Sequence, residues 1–264
     1  MHFTKMHGLG NDYLYVYGEV PDNIVELSQK LSDRHFGAGS DGMIYISPSK
    51  TADFKMRIFN ADGSEAKMCG NGIRCVGKYV YDKGYTDKTK LKIETLSGIK
   101  KLNMKSCQGK IKSVAVDMGK VEVGNEFELT VAGQTIVGTP VSVGNPHFVV
   151  FVDDINQVPL ETIGPKIEKH EAFLGGVNVE FIEVISESEL RMRVWERGSG
   201  ITMSCGTGAC ASTAVAVSKG YCPFDASISV VLDGGTLKIS IDEAFNVIMS
   251  GPAKSVYEGE TDLW

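Results

Sequence analysis

Cys69-Gly70-Asn71-Gly72 and Cys205-Gly206-Thr207-Gly208 open two helix-like runs that both close on Lys-Gly-Tyr, at Lys83-Gly84-Tyr85 and Lys219-Gly220-Tyr221. A shift of 136 positions carries the cysteine, glycines, lysine and tyrosine of the first run onto the second without a gap. The same shift works upstream, where Met56-Arg57-Ile58-Phe59 falls on Met192-Arg193-Val194-Trp195. A strand, a loop, a thiol and a helix therefore recur as one unit, and a repeat of about half the chain predicts two pseudo-equivalent domains. A weaker echo pairs Gly10-Asn11-Asp12-Tyr13 with Gly144-Asn145-Pro146-His147, 134 positions apart.

The two thiol-led runs predict helices over about 70–83 and 206–219. Residues 209–217 read Ala-Cys-Ala-Ser-Thr-Ala-Val-Ala-Val, with no charge on any face, so this helix is expected to be surrounded by protein. Its partner carries Ile73, Val76, Val80 and Tyr81, with Arg74 and Lys78 as polar exceptions. Strand-like runs follow each helix, at 90–96, 98–105 and 111–116, then at 225–232, 235–241 and 245–250. A further helix is expected at Asn23–Asp33, with Ile24, Leu27 and Leu31 on one face and Asn23 as its cap. The fold class expected is α/β in the α+β sense: two pseudo-symmetric domains from internal duplication, each a curved, mixed, mostly antiparallel sheet around a central helix. The domains divide near Asp117-Met118-Gly119-Lys120, as 1–118 carrying Cys69 and 119–250 carrying Cys205.

With 264 residues, 42% hydrophobic and 23% charged, the chain is large enough for two modest cores. Its net charge of −6 and lack of a Lys/Arg block argue against a nucleic-acid partner. No apolar run approaches the roughly 20 residues of a membrane span, and the start lacks a signal-peptide core, so a cytoplasmic protein without a membrane partner is expected. The six cysteines include no C-x-x-C pair and the five histidines no H-x₃₋₅-H group, so reduced thiols and no metal are expected.

A cysteine in the first turn of a helix feels the positive end of the helix dipole, which favours thiolate, and the same N–H groups suit a carboxylate. Two such thiols on opposite faces of one carbon provide an acid and a base, which is what inversion of an α-centre requires. One sulfur has to be thiolate while the other is thiol, and the pair titrates as a coupled unit. Cys75, Cys107, Cys210 and Cys222 read instead as small core or surface residues. Asn60 and Glu196, each nine residues before its thiol, and Arg197 read either as substrate handles or as parts of solvated turns. The stretch Gly37-Ala38-Gly39-Ser40-Asp41-Gly42 matches G-x-G-x-x-G, but it follows a helix and precedes a strand, the reverse of a dinucleotide site. His147 beside Pro146, taken alone, reads as a packed or turn histidine.

These motifs resemble the diaminopimelate epimerase family. The resemblance runs through His7–Asp12, Phe59–Glu65, Met68–Cys75, Val143–His147, Val177–Val179, Glu196–Gly198 and Cys205–Cys210. It implies a cofactor-independent isomerase of lysine and peptidoglycan precursor synthesis, interconverting LL- and meso-2,6-diaminopimelate with Cys69 and Cys205 as the acid–base pair. By matching position, Asn11, Asn60, Asn145, Asn178, Glu196 and Arg197 would hold the amino-acid substrate, with backbone of Gly70-Asn71 and Gly206-Thr207 around the reacting carboxylate. His147 and Glu196 would tune the thiols. The family fold implies that the last strand, about 251–264, returns to the first domain, and family members often dimerise, through a stretch matching Val256-Tyr257-Glu258-Gly259. Two positions depart from the family pattern: Gly42 stands where some members have Gln, and Ile201 where many have Glu. A racemase of another amino acid such as histidine is the nearest alternative, and a thiol-redox or binding protein the next.

Overall fold

A computed structural model describes residues 1–262; positions 263 and 264 of the expected returning strand lie outside the described residues. The chain forms two compact units, Met1–Asp117 with the described residues from Gly251 onward, and Met118–Ser250.

The first unit contains β1 (His2–Gly8), β2 (Asn11–Tyr17), α1 (Ile24–Ser32), β3 (Gly42–Pro48), β4 (Phe54–Asn60), β5 (Glu65–Ala66), α2 (Gly70–Asp82), β6 (Lys90–Thr95), β7 (Gly98–Cys107) and β8 (Lys110–Lys120). Its strands pair in the order β1-β2-β3-β4-β6-β7-β8, with β2–β3 and β4–β6 parallel and the rest antiparallel. The C-terminal strand Lys254–Glu260 pairs antiparallel with β1 on the outer side. Helix α2 packs on β1, β2 and β7, while α1 lies on β3 and β4. The apolar face of α1, Ile24, Leu27 and Leu31, joins Leu14, Met43, Tyr45 and Phe59 in a core of its own.

The second unit contains β9 (Glu122–Val123), β10 (Phe127–Val131), β11 (Gln134–Ser142), β12 (Pro146–Phe151), α3 (Leu160–Glu168), β13 (Asn178–Ser186), β14 (Glu189–Glu196), β15 (Gly200–Ile201), α4 (Gly206–Ser218), β16 (Ile228–Leu232), β17 (Gly235–Ile241) and β18 (Asn246–Gly251). Its order β10-β11-β12-β13-β14-β16-β17-β18 repeats that of the first unit counted from the C-terminal strand beside β1, with the parallel pairs in both at the third and fifth steps, here β12–β13 and β14–β16. The place that β10 takes beside β11 is taken beside β1 by the C-terminal strand. The shift of 136 carries α1 onto α3 and α2 onto α4, residue for residue at both ends.

The repeated sequence has a local physical cause at each end of α2 and α4. Cys69 and Cys205 are the N-caps, each in extended backbone, and each sulfur accepts the N–H three residues on, Gly72 at 3.3 Å and Gly208 at 3.4 Å. At the other end Gly84 and Gly220 take φ of +78° and +75°, which glycine adopts at little cost, and the tyrosine N–H that follows reaches back to Val80 or Ala216 at 2.9 Å. This is a Schellman cap, and it accounts for Lys-Gly-Tyr in both halves.

Two expectations need correction. Asn23 precedes α1, but its side chain makes no cap hydrogen bond. Helix α3 has no counterpart among the helices expected from the sequence, because Gly164 and Pro165 interrupt its run. Gly164 is required there by packing: a Cβ would meet Trp195 Cγ at 2.7 Å. As expected, α4 is buried along nearly its whole length, and Arg74, one of the polar exceptions of α2, is fully buried as well.

Candidate active site

In the first unit the half-buried Cys69 stands at the head of α2, and its thiol donates to Asn11 Oδ1 at 3.2 Å. The Asn11 amide is held from behind by Asp41, which accepts from Asn11 Nδ2 at 2.8 Å and from the Asp12 N–H at 3.0 Å. Arg34 bridges Asp41 and Asp12, both at 2.9 Å, and Lys5 reaches Asp12 at 2.9 Å. Burial alone would raise the Asp12 carboxyl, but Arg34 and Lys5 hold it below the usual range. Asp41 is raised, chiefly by burial. Tyr13, next in β2, has its hydroxyl lifted well above the usual range by burial and then by the nearby sulfur of Cys69. Below the first turn, Arg74 donates to Gly70 O at 3.1 Å and Asn71 Oδ1 at 2.8 Å, which places Asn71 in a fixed rotamer. Asn60, at the end of β4, donates to Ser64 Oγ at 3.1 Å. Gly42, where some relatives carry Gln, has φ +151° and leaves no room for a side chain, since a Cβ would meet Phe59 O at 2.1 Å.

In the second unit Cys205 is buried, with its sulfur 3.6 Å from Thr207 Oγ1. Asn145 donates to that hydroxyl at 3.4 Å and accepts on Oδ1 from His147 Nε2 at 3.1 Å. His147 is itself buried in β12, and its Nδ1 lies 2.7 Å from Glu180 Oε1. Glu196, at the end of β14, accepts from the Thr202 hydroxyl and is hydrogen-bonded by Cys205. Burial raises the Glu196 carboxyl, against those two hydrogen bonds. Burial, then the carboxylates of Glu196 and Glu180, lift the Cys205 thiol well above its ordinary range. Burial and two carboxylates therefore act at Cys205 against the thiolate that a helix start favours. Asn178 spends its amide inside the unit, donating to Pro146 O at 3.0 Å and accepting from the Arg197 N–H at 2.9 Å. Arg197 is exposed and donates to Gly175 O at 3.1 Å. Gly206 and Thr207 supply first-turn N–H groups that have no partner within the helix.

Of the residues singled out from the sequence, the structure brings Asn11 to Cys69, and Asn145, His147, Glu196 and Thr207 together around Cys205. Sequence reading missed Tyr13, Asp41 and Arg34 in the first unit and Glu180 and Thr202 in the second. Glu180 leaves a trace, a lone acid inside the apolar run Val177-Asn178-Val179-Glu180-Phe181-Ile182. Among the described residues no group of three His, Cys, Asp or Glu side chains is arranged to hold a metal ion, and no helix is long and apolar enough to cross a membrane.

A sequence model of the family described as diaminopimelate epimerase matches residues 3–124 and 139–256. The chain belongs to the diaminopimelate epimerase family. The unmatched residues between the two segments fall on the β10–β11 hairpin. Curated relatives named diaminopimelate epimerase include those of Acetivibrio thermocellus, 50% identical over all of this chain and 99% of its own, and Bacillus licheniformis, 50% identical over 98% of this chain and 97% of its own. The protein is accordingly an enzyme of the epimerase class. Among solved structures, a probable proline racemase from Agrobacterium radiobacter superposes with a TM-score of 0.77 at 15% identity, over 99% of this chain and 93% of that one. A hydroxyproline epimerase from Agrobacterium vitis superposes with a TM-score of 0.73 at 16% identity, over 99% and 90%. At those identities the likeness is one of fold alone.

Proposed function

We propose that this enzyme interconverts LL- and meso-2,6-diaminopimelate by a two-thiol acid–base mechanism in which Cys69 and Cys205 act on one α-carbon. The observation that carries the reading is that the two thiols cap equivalent helices in differently charged surroundings. One proton leaves the α-carbon to a thiolate as the C–H bond breaks, and its electron pair passes into the α-carboxylate. A thiol then gives its proton to the opposite face, so one S–H forms, one is lost, and no electrons are gained or lost overall. The raised Cys205 supports its acting as the thiol that donates, with Cys69 acting as the base once it no longer donates its proton to Asn11 Oδ1. First-turn N–H groups of α2 and α4 favour the charge that builds on the carboxylate.

In this reading Asn11, Asn60, Asn145, Asn178, Glu196 and Arg197 hold the substrate. Arg197 is exposed and suits a carboxylate, and Glu196 an ammonium group. The same reading places the enzyme in the cytoplasm, in lysine and peptidoglycan precursor synthesis, and as a homodimer, which sedimentation tests directly. The decisive experiment incubates reduced enzyme with LL-diaminopimelate in D₂O and follows α-deuterium and meso product. Absence of both would sink the proposal, and a parallel incubation with L-histidine tests for a racemase of broader range.

A further inference from the structure

Glu180 is a fully buried carboxylate on β13 that the proposed reaction leaves without a part. Its counterpart under the 136 shift is Ile44, also fully buried. The two occupy corresponding places against the helix starts: a Cβ on Gly72 would meet Ile44 Cδ1 at 2.7 Å, and a Cβ on Gly208 would meet Glu180 Oε1 at 2.6 Å. Ile44 demonstrates that an apolar side chain fits such a slot, so packing does not call for a carboxylate. Nor does stability, because Glu180 Oε2 is buried without a hydrogen-bond partner, an arrangement that costs free energy.

The remaining oxygen starts a line of hydrogen bonds that ends at the thiol. Glu180 Oε1 meets His147 Nδ1 at 2.7 Å, and His147 Nε2 meets Asn145 Oδ1 at 3.1 Å. An amide oxygen only accepts, so Nε2 carries a hydrogen, and the 2.7 Å approach of Nδ1 to Glu180 Oε1 places a second hydrogen between those two atoms. Asn145 Nδ2 then donates to Thr207 Oγ1, which lies 3.6 Å from Cys205 Sγ. The charged or titratable groups around Cys205 are Glu196 from the end of β14, Glu180 from β13, and His147 from β12 beside both carboxylates.

We infer that Glu180 is a positioning residue for Cys205: it orients His147, and through it Asn145 and the Thr207 hydroxyl beside the sulfur, and so sets the surroundings in which Cys205 exchanges its proton. The inference rests on the two-thiol reading and deepens it, by tying the proton exchange of one thiol to one side chain. A carboxylate beside a sulfur disfavours thiolate by like-charge repulsion, and the dry surroundings strengthen that effect.

The test is a pH titration of the Cys205 ¹³Cβ chemical shift in enzyme labelled with [3-¹³C]cysteine. In the unmodified enzyme the Cys205 midpoint lies above the ordinary thiol range of about 8.5. Glu180→Gln keeps the shape and removes the charge; the Cys205 midpoint then moves down by about one pH unit, equivalent to about tenfold more thiolate at neutral pH. Cys69 keeps its midpoint, kcat falls about tenfold with KM little changed, and Glu180→Asp recovers part of both effects. An unmoved Cys205 midpoint in Glu180→Gln overturns the inference. If that variant does not fold, the unmodified enzyme still decides, since a Cys205 midpoint at an ordinary thiol value overturns it as well. Failure of the two-thiol reading is seen separately, as full α-deuterium exchange in Cys205→Ser.

Discussion

Cys69 and Cys205 sit in the same backbone and in opposite chemistry. Both cap a helix of equal length, both accept an N–H three residues on, and both helices end in the same glycine turn. Around Cys69 the corresponding positions carry Tyr13, Ile44 and Arg74; around Cys205 they carry His147, Glu180 and Cys210. The duplication has kept what holds a sulfur at a helix start and changed what the sulfur feels. A cation, Arg74, is bonded to the first turn of α2, and a carboxylate, Glu180, lies against the first turn of α4. In the two-thiol reading this inequality favours one sulfur over the other as the proton donor.

The comparison breaks most directly if one thiol is dispensable. Cys69→Ser and Cys205→Ser are each expected to lower kcat by about 10² to 10⁴, the usual weight of a proton-transfer group. Serine keeps the N-cap, so circular dichroism and unfolding midpoint stay close to those of the parent. Exchange of the α-proton into D₂O is the measurement, and equal activity of either variant and parent would refute the pairing of roles.

Next in size is the cation under α2. Arg74→Leu leaves Gly70 O, Asn71 Oδ1 and Pro252 O without the donor each now has, and a buried acceptor left unmet costs about 1–3 kcal/mol. A loss of about 4 kcal/mol in unfolding free energy is expected. At the equivalent position Cys210→Ala removes only a small apolar group and is expected to cost about 1 kcal/mol. Chemical denaturation of both variants gives the difference, and equal losses would mean that Arg74 is not integral to the first turn.

Much of this architecture was legible in the sequence because repetition is a property of the chain itself. The helices at 70–83 and 206–219 and the three strands after each follow from matching residues and apolar periodicity. Helix α3 was not legible: Gly164 and Pro165 lower helix propensity, and only the Trp195 ring packed on Gly164 explains why glycine stands there. The site divides in the same way. Cysteines, glycines and asparagines flanking the thiols stand in short motifs, whereas Asp41, Arg34 and Glu180 reach the site from other strands and loops. Their contribution depends on pairing, β2 with β3 and β12 with β13, that brings distant positions side by side.

The two slots beneath the helix starts offer a sharper contrast at lower cost. In Gly72→Ala the new methyl meets the far end of Ile44 and Met56, flexible groups that can turn away. The gain in helix propensity offsets the crowding, and stability is expected to change by under about 1 kcal/mol. In Gly208→Ala the methyl meets Glu180 at Oε1, Cδ and Cγ within 3.1 Å. The carboxylate has to move and its bond to His147 is lost, at a cost of about 2 kcal/mol. Activity is expected to fall in Gly208→Ala alone, and equal behaviour of the two variants would remove the distinction between an apolar and a charged slot.

The smallest effect concerns alkaline stability. Burial, opposed by the Tyr15 hydroxyl and Arg74, pushes the Cys75 thiol of the first unit up to about 11, and burial with two carboxylates raises Cys205 of the second. A thiol whose folded value exceeds its unfolded one holds its proton more tightly in the folded state. Its contribution is complete below the unfolded value of about 8.5–9 and is lost as pH rises through the folded value. Stability is therefore expected to be level with respect to these thiols at neutral pH and then to fall by about 1.4 kcal/mol per pH unit for each. Urea unfolding between about pH 8 and 10.5 measures the slope. Cys75→Ala and Cys205→Ser should each remove one thiol's share. If Cys205→Ser leaves the slope unchanged, Cys205 is not a protected thiol, and the inequality of the two halves has to come from Cys69 alone.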